Sequence, residues 1–173
     1  MTPIVVGIGD CAVTTNPEAE LITYALGSCI AVAAIDRTVP VAGLLHFMLP
    51  EAALDAQLAR LHPHRFADTG IPRLLEQLLA AGAHKRRLLI ALIGGAQTME
   101  DPGLFQIGKR NYLAARKLLW KAGFLIAAEA VGGAVSRTVR LEVAGGRLSV
   151  QEAGHSYREL LAACHLSAAA KVL

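Results

Sequence analysis

The sequence predicts an α+β fold with layered sheets, and three observations predict it. Short apolar segments of strand length outnumber helical ones and do not alternate strictly with them. Two stretches carry a clear helical period, and each ends at a glycine. The segments Ile30–Ile35 (IAVAAI) and Val41–Phe47 (VAGLLHF), joined by a short polar turn, are apolar on both faces, so this pair must be covered on both sides. At 173 residues the chain has single-domain length and room for a substantial core.

In chain order, Ile4–Ile8 and Ala19–Tyr24 read as strands, separated by the turn signal Thr14-Thr15-Asn16-Pro17. In the hairpin that follows, Ile30, Val32 and Leu45 fall on one face and Ala31, Ile35 and Leu44 on the other. Its turn is Asp36-Arg37-Thr38-Val39, and Pro40 begins the returning strand, where sheets tolerate proline. Residues 51–67 read as an irregular surface loop with His62 and His64 solvated. A helix comes next, with Ile71, Leu74, Leu75, Leu78 and Leu79 inward, Asp68 or Thr69 as its cap, Pro72 in its first turn and Gly82 at its end. Arg87–Ile93 reads as a buried strand ending in Gly94-Gly95, with the basic residues before it capping the helix end and solubilising the approach. Gly108–Lys121 is a second helix with Ala115, Leu118, Leu119 and Ala122 inward. Phe124–Glu129, Thr138–Val143 and Arg147–Gln151 read as the last strands, the final two joined by Ala144-Gly145-Gly146. Residues 1–153 make one domain, and 154–173 make a tail with a short helix, Tyr157–Cys164.

Composition excludes several classes of function. Hydrophobic residues make up 54% of the chain and charged ones 18%, which suits a globular protein and not a disordered or coiled-coil one. A net charge of +3 and 5% aromatic residues argue against nucleic acid as a partner. The apolar runs are far shorter than the ~20 residues that span a bilayer, and the N-terminus lacks the basic region of a secretory signal, so the chain reads as soluble and cytoplasmic. The three cysteines are odd in number and widely spaced, so neither a disulfide framework nor a zinc site is expected, and no cofactor is implied. Thiols then persist as thiols.

Cys29 and His46 are the residues with the most chemical promise. A hairpin turn centred between Arg37 and Thr38 sets them opposite each other on one face, with Cβ atoms about 5 Å apart. A thiol within reach of an imidazole is the minimum for a cysteine nucleophile, although a one-residue bulge would separate the two faces. Taken alone, each residue has a plainer reading: Cys29 as a small core residue, His46 as a hydrogen-bonded, half-buried histidine. Ser28 lacks the surrounding pattern of a nucleophile elbow. Cys11 reads as structural, and Cys164 and His165 are adjacent on a helix and point apart.

Longer strings carry more. ALGSCIAV (Ala25–Val32), GLLHFMLP (Gly43–Pro50), RFADTG (Arg65–Gly70), IGGA (Ile93–Ala96) and IGKRN (Ile107–Asn111) occur in the order and spacing of a known family, with GGAVSR (Gly132–Arg137) a looser match. The chain resembles CheD, the chemoreceptor glutamine deamidases of bacterial and archaeal chemotaxis. The resemblance covers Ile4 to Gln151. It implies a layered β-sandwich of mixed sheets flanked by two main helices, similar to some toxin deamidases. It also implies a catalytic Cys, His and Thr, which match Cys29, His46 and Thr23. Its members convert glutamines on the cytoplasmic helices of chemotaxis receptors to glutamate, and some bind a CheC-type phosphatase. Two positions depart from the pattern: Ala130 stands where the family usually has an acid, and Ser136 where it usually has glycine.

With those assignments the expected chemistry is a protein-glutamine deamidation. Cys29 attacks the side-chain carbonyl, His46 moves the proton and raises the thiolate fraction, and Thr23 holds the other ring nitrogen. The Cys29 N–H, with a neighbour in the Gly27-Ser28 turn, receives the oxyanion, glycine letting that turn aim its amides inward. The alternatives are a binding module that docks receptors or a CheC-type phosphatase without turnover, and transfer of the thioester to an amine.

Overall fold

Two five-stranded sheets lie face to face, and helices cover the outer face of one of them. The computed structural model describes residues 1–97 and 106–163. The first sheet has the order β1-β3-β8-β9-β10, built from Thr2–Val5 (β1), Ala19–Leu26 (β3), Arg137–Glu142 (β8), Leu148–Glu152 (β9) and Arg158–Leu161 (β10). The second has the order β2-β5-β4-β6-β7, built from Asp10–Thr14 (β2), Val41–Phe47 (β5), Ile30–Asp36 (β4), Leu88–Gly94 (β6) and Ile126–Val131 (β7). Both are mixed, since β1 runs parallel to β3 and β6 parallel to β7. The second of these parallel pairs is joined through a helix, as a parallel connection requires.

The two apolar faces of the hairpin β4–β5 explain the layering. Ala31, Ala33, Ile35 and Leu44 point between the sheets, against Leu21, Val139, Leu141, Leu148 and Val150. Ile30, Val32, Leu45 and Phe47 point outward, where helices Ala67–Ala80 (α2) and Ile107–Lys121 (α3) cover them. Ile71, Leu74 and Leu78 of α2 and Ala115 and Leu119 of α3 complete that outer layer. The α+β sandwich expected from sequence is therefore present, with both main helices on one side. No helix of the described residues is long and apolar enough to cross a membrane.

Several local expectations are corrected. The hairpin turn is Arg37–Pro40, centred between Thr38 and Val39, because Asp36 still pairs with Val41. β2 was not expected: it is a half-exposed edge strand with too few apolar residues to give an alternating signal. Residues 51–67 are not irregular but hold a short helix, Ala56–Leu61 (α1), between two single 3₁₀ turns. Asp68 and Thr69 lie inside α2, and the Asp68 carboxylate accepts from the Ala52 N–H at 2.9 and 3.0 Å instead of capping. Leu79 and Ala122 are exposed, each lying off the buried stripe of its helix. The tail segment Arg158–Leu161 is strand, because the free edge of β9 pairs with it and overrides the helical propensity of Arg-Glu-Leu-Leu. Cys164 and His165 lie outside the described residues.

One buried carboxylate locks the hairpin to the rest of the second sheet. Asp36 is fully buried and accepts from the Thr38 N–H (3.0 Å), the His84 N–H (2.9 Å) and the Arg87 guanidinium (3.0 Å). Arg87 thus pairs with Asp36 instead of merely solubilising the approach to β6. Burial alone would raise the Asp36 pKa, but Arg87 and the two backbone donors outweigh it and hold the carboxyl below its ordinary value. A depressed carboxylate contributes stability that is complete above the unfolded aspartate value of about 3.9 and is lost as the pH falls below it. Asp36→Ala should cost about 2–3 kcal/mol in urea unfolding at neutral pH, the scale of lost hydrogen bonds to a charged group. The deficit should shrink below about pH 4, and a pH-independent deficit would contradict the assignment.

Candidate active site

His46 stands near the end of β5 on the face that looks between the sheets, and it is 1% exposed. Thr23 stands on β3 of the opposite sheet and is fully buried. Their side chains meet across the interlayer: Thr23 Oγ1 lies 2.8 Å from His46 Nδ1. The same hydroxyl lies 2.7 Å from the Val6 carbonyl oxygen. A hydroxyl has one proton, and a carbonyl oxygen can only accept, so Thr23 donates to Val6 and accepts from His46. The neutral ring therefore carries its proton on Nδ1, and Nε2 holds the free lone pair. That Nε2 is buried without a hydrogen-bond partner among the described residues.

Cys29 lies just before β4, half-buried, with its side chain against the interlayer cluster. It does not stand directly opposite His46. The displacement of the turn by one residue moves the register by two, so that His46 pairs with Ala31 and Cys29 lies diagonal to it. A shift of two preserves the face, and diagonal neighbours remain within reach of side chains. The thiol makes no hydrogen bond to Nε2 in the free protein, a common looseness before substrate binds.

Burial pushes the Cys29 thiol above its ordinary pKa, while its own backbone N–H acts in the opposite sense. Burial also lowers His46 to about 4. At neutral pH the two groups are a neutral thiol and a neutral imidazole, so the raised thiolate fraction expected from sequence is not found. The cause is desolvation, with no nearby carboxylate to hold an imidazolium: Asp10 pairs with His46 along β2–β5, but its carboxylate turns to the Cys11 N–H at 2.8 Å. Cys11 itself is pushed up to about 12 by burial and by Asp10, and it packs against the helix-side core, in keeping with a structural role.

The connector that carries Cys29 is held from several directions. β3 bulges between Thr23 and Leu26, with Ala25 left-handed at φ 54°, and the chain then crosses to the other sheet through Gly27-Ser28. Gly27 is not among the residues of positive φ, so the freedom expected of it belongs to Ala25, at a cost of order 1–3 kcal/mol. The Gly27 carbonyl accepts from the Ala96 N–H at 2.8 Å and the Cys29 carbonyl from the Gly95 N–H at 2.7 Å. Gly94 has φ +113°, and a Cβ there would collide with the Cys29 carbonyl oxygen. Gly132 N–H binds the Gly94 carbonyl, and the buried Arg137 donates to the Gly132 carbonyl at 2.7 Å. Asn111 of α3 donates from Nδ2 to the carbonyls of Ser28 (3.0 Å) and Met48 (2.8 Å). The N–H groups of Ser28 and Cys29 have no acceptor among the described residues.

Of the three residues singled out, the structure brings Thr23 and His46 into contact and sets Cys29 diagonal to His46 on the same face, and the contacts of Val6 and Asn111 were not anticipated. Val6 acts through its backbone, which leaves no side-chain signal. Asn111 was readable in principle, as a polar residue on the buried stripe Gly108, Asn111, Ala115, Leu119 of α3. His64 is not solvated as expected, for its Nε2 is buried without a partner. Ala130 packs in the interlayer core, and the Ser136 carbonyl accepts from the Ala153 N–H.

Comparison with known proteins decides the family. The model of the family described as CheD chemotactic sensory transduction matches residues 48–152. A relative from Solibacter usitatus, named "Probable chemoreceptor glutamine deamidase CheD", is 54% identical over 154 residues, 89% of this chain and 91% of its own. This chain belongs to the CheD family. A Syntrophus aciditrophicus CheD is 45% identical over 92% of the chain and all of its own length. A Pyrococcus abyssi CheD is 40% identical over 86% of the chain and 91% of its own. The family model begins beyond His46, but an alignment over 89% of the chain necessarily spans Thr23, Cys29 and His46.

Two measurements test the geometry of this CheD site. In ¹H–¹³C spectra the His46 ring should stay neutral from pH 8 down to about 5 and titrate near 4, and a midpoint near the ordinary 6.5 would contradict the buried neutral imidazole. The depressed value also means that stability attached to His46 is complete above about pH 6.5 and lost as the pH falls toward 4. Thr23→Val keeps the shape but removes the Nδ1 acceptor, and kcat should fall by about 10²-fold, the low end of positioned acid–base catalysis. An unchanged kcat would show that Thr23 does not orient the ring.

Proposed function

We propose that this chain is a cysteine-dependent protein-glutamine deamidase acting on chemoreceptors, with Cys29 as nucleophile, His46 as general base and acid, and Thr23 as the group that orients His46. The names of its relatives supply the substrate, and the observation that carries the chemistry is the fixed tautomer. Thr23 and Val6 together leave Nε2 as the basic nitrogen, on the same sheet face as the thiol.

The reaction begins as Nε2 takes the Cys29 proton while Sγ bonds to the carboxamide carbon of a glutamine side chain. The former carbonyl oxygen takes negative charge beside the Cys29 N–H. Nε2–H then gives its proton to the nitrogen, the C–N bond breaks, and ammonia leaves a thioester behind. Water enters, His46 takes its proton, and collapse of the second tetrahedral species breaks the C–S bond, releasing glutamate and restoring the thiol. A threonine has no charge to hold an imidazolium, so the protonated ring exists only while an anionic intermediate faces it. An uncharged resting pair suits an enzyme whose target is a neutral amide, because the thiol is not left as a standing thiolate open to oxidation.

The half-buried position of Cys29 suits an exposed glutamine on an intact helix, and a substrate such as the cytoplasmic helices of receptors implies an enzyme that works in the cytoplasm. A CheC-type phosphatase as partner rests on the family resemblance. The alternative, a docking module without turnover, lacks a specific observation in its favour, since Thr23, Cys29 and His46 are all present and share the interlayer.

Cys29→Ala should abolish ammonia release from receptor cytoplasmic fragments, a loss of about 10⁴-fold or more, with the melting transition retained. Mass spectrometry of the fragments should show no amide-to-acid conversion. Activity within tenfold of the parent protein would overturn the assignment.

A further inference from the structure

We propose that Asn111 is a positioning residue for the deamidation: it sets the Ser28–Cys29 peptide plane and through it aims the Cys29 N–H at the oxyanion. The inference rests on the reading of Cys29 as nucleophile and adds a residue to its machinery.

Beyond the pair Ile30–Phe47 the hairpin strands part, because the N–H groups of Met48 and Leu49 turn to the Arg65 carbonyl at 2.9 and 3.0 Å. The backbone at Ser28 and Met48 is left without ladder partners at the point where nucleophile and base must be held together. Asn111 fills the gap, its amide nitrogen bridging the Ser28 carbonyl, one residue before Cys29, and the Met48 carbonyl, two residues after His46. The orientation of the amide follows from chemistry. Both neighbours are acceptors, so only the nitrogen can face them, and both its protons are used. The oxygen is left buried and unpartnered. A fully buried side chain with half its polar capacity unmet among the described residues calls for a purpose that explains it.

That purpose is set by the planarity of the peptide. The Ser28 carbonyl and the Cys29 N–H share one trans plane and point in opposite directions, so fixing one fixes the other. Hydrogen bonding to the carbonyl also polarises the amide and strengthens its N–H as a donor. The Cys29 N–H has no acceptor among the described residues and belongs to the residue that carries the thiol, so it is free to meet the oxygen of a thiol adduct. α3 is brought close enough by Gly108, whose missing side chain lets the helix rest on the carbonyls of Gly95 and Ala96.

The test compares two reactions of one thiol. Deamidation develops an oxyanion; alkylation by iodoacetamide, a displacement at a methylene carbon, does not. Asn111→Leu and the smaller Asn111→Ser should lower kcat for deamidation by about 10- to 100-fold, part of what loss of one oxyanion donor costs, with KM within about twofold. The rate and pH profile of Cys29 alkylation should stay as in the parent protein. An unchanged kcat in either folded variant, or deamidation and alkylation falling together, would overturn the proposal. Cys29→Ala runs in parallel. Activity surviving there would overturn the nucleophile and this inference together, whereas activity lost there but kept in the Asn111 variants would overturn this inference alone.

Discussion

A single proton on the Thr23 hydroxyl is the constraint on which the site depends. Donated to the Val6 carbonyl, it cannot be offered to His46, and the imidazole must answer with its own Nδ1 proton. One hydroxyl thus joins three chain segments, fixes a tautomer, and leaves the buried histidine with one free ring nitrogen of defined direction. The bond also spans the two sheets, so the packing of the sandwich and the chemistry of the ring are one arrangement. An aspartate in the same place would bind the ring more strongly but would charge it at rest, in a pocket where burial already holds the imidazolium down to a pKa of about 4.

Much of this was legible in the sequence, and the reasons differ by element. The double-faced apolar hairpin was unmistakable because alternate residues of Ile30–Ile35 and Val41–Phe47 are apolar on both sides, and the structure divides them as the alternation requires. The helices were readable from their stripes, and their ends less so, since Leu79 and Ala122 continue the apolar composition past the point where the face turns to solvent. The exact hairpin register was not readable. It depends on Asp36, whose carboxylate binds groups as far away as His84 and Arg87 and extends β4 by one residue. The error in register was even, so the face of Cys29 and His46 was right although their pairing was not. β2 and β10 escaped because edge strands are defined by the neighbour they join more than by their own residues.

The electrostatics of the site follow from the same layering. Cys29 and His46 share the narrow interlayer with apolar residues, so both neutral forms are favoured and no ion pair is stored. In the proposed reaction charge appears only when substrate brings an electrophile, and the backbone around Cys29 is held beforehand by Gly94, Gly95, Ala96 and Asn111. The bracing lies in the main chain, and no hydrogen bond joins the Cys29 thiol to His46 Nε2.

The strand that supplies Thr23 leans on chain made much later. β3 is flanked by β1 and by β8, and β8 begins only at Arg137. During synthesis, then, Cys29 and His46 emerge well before β8, the strand that flanks Thr23 on one side. On the proposed assignment, a nascent chain that has not reached β8 holds its cysteine before the sheet around Thr23 can close.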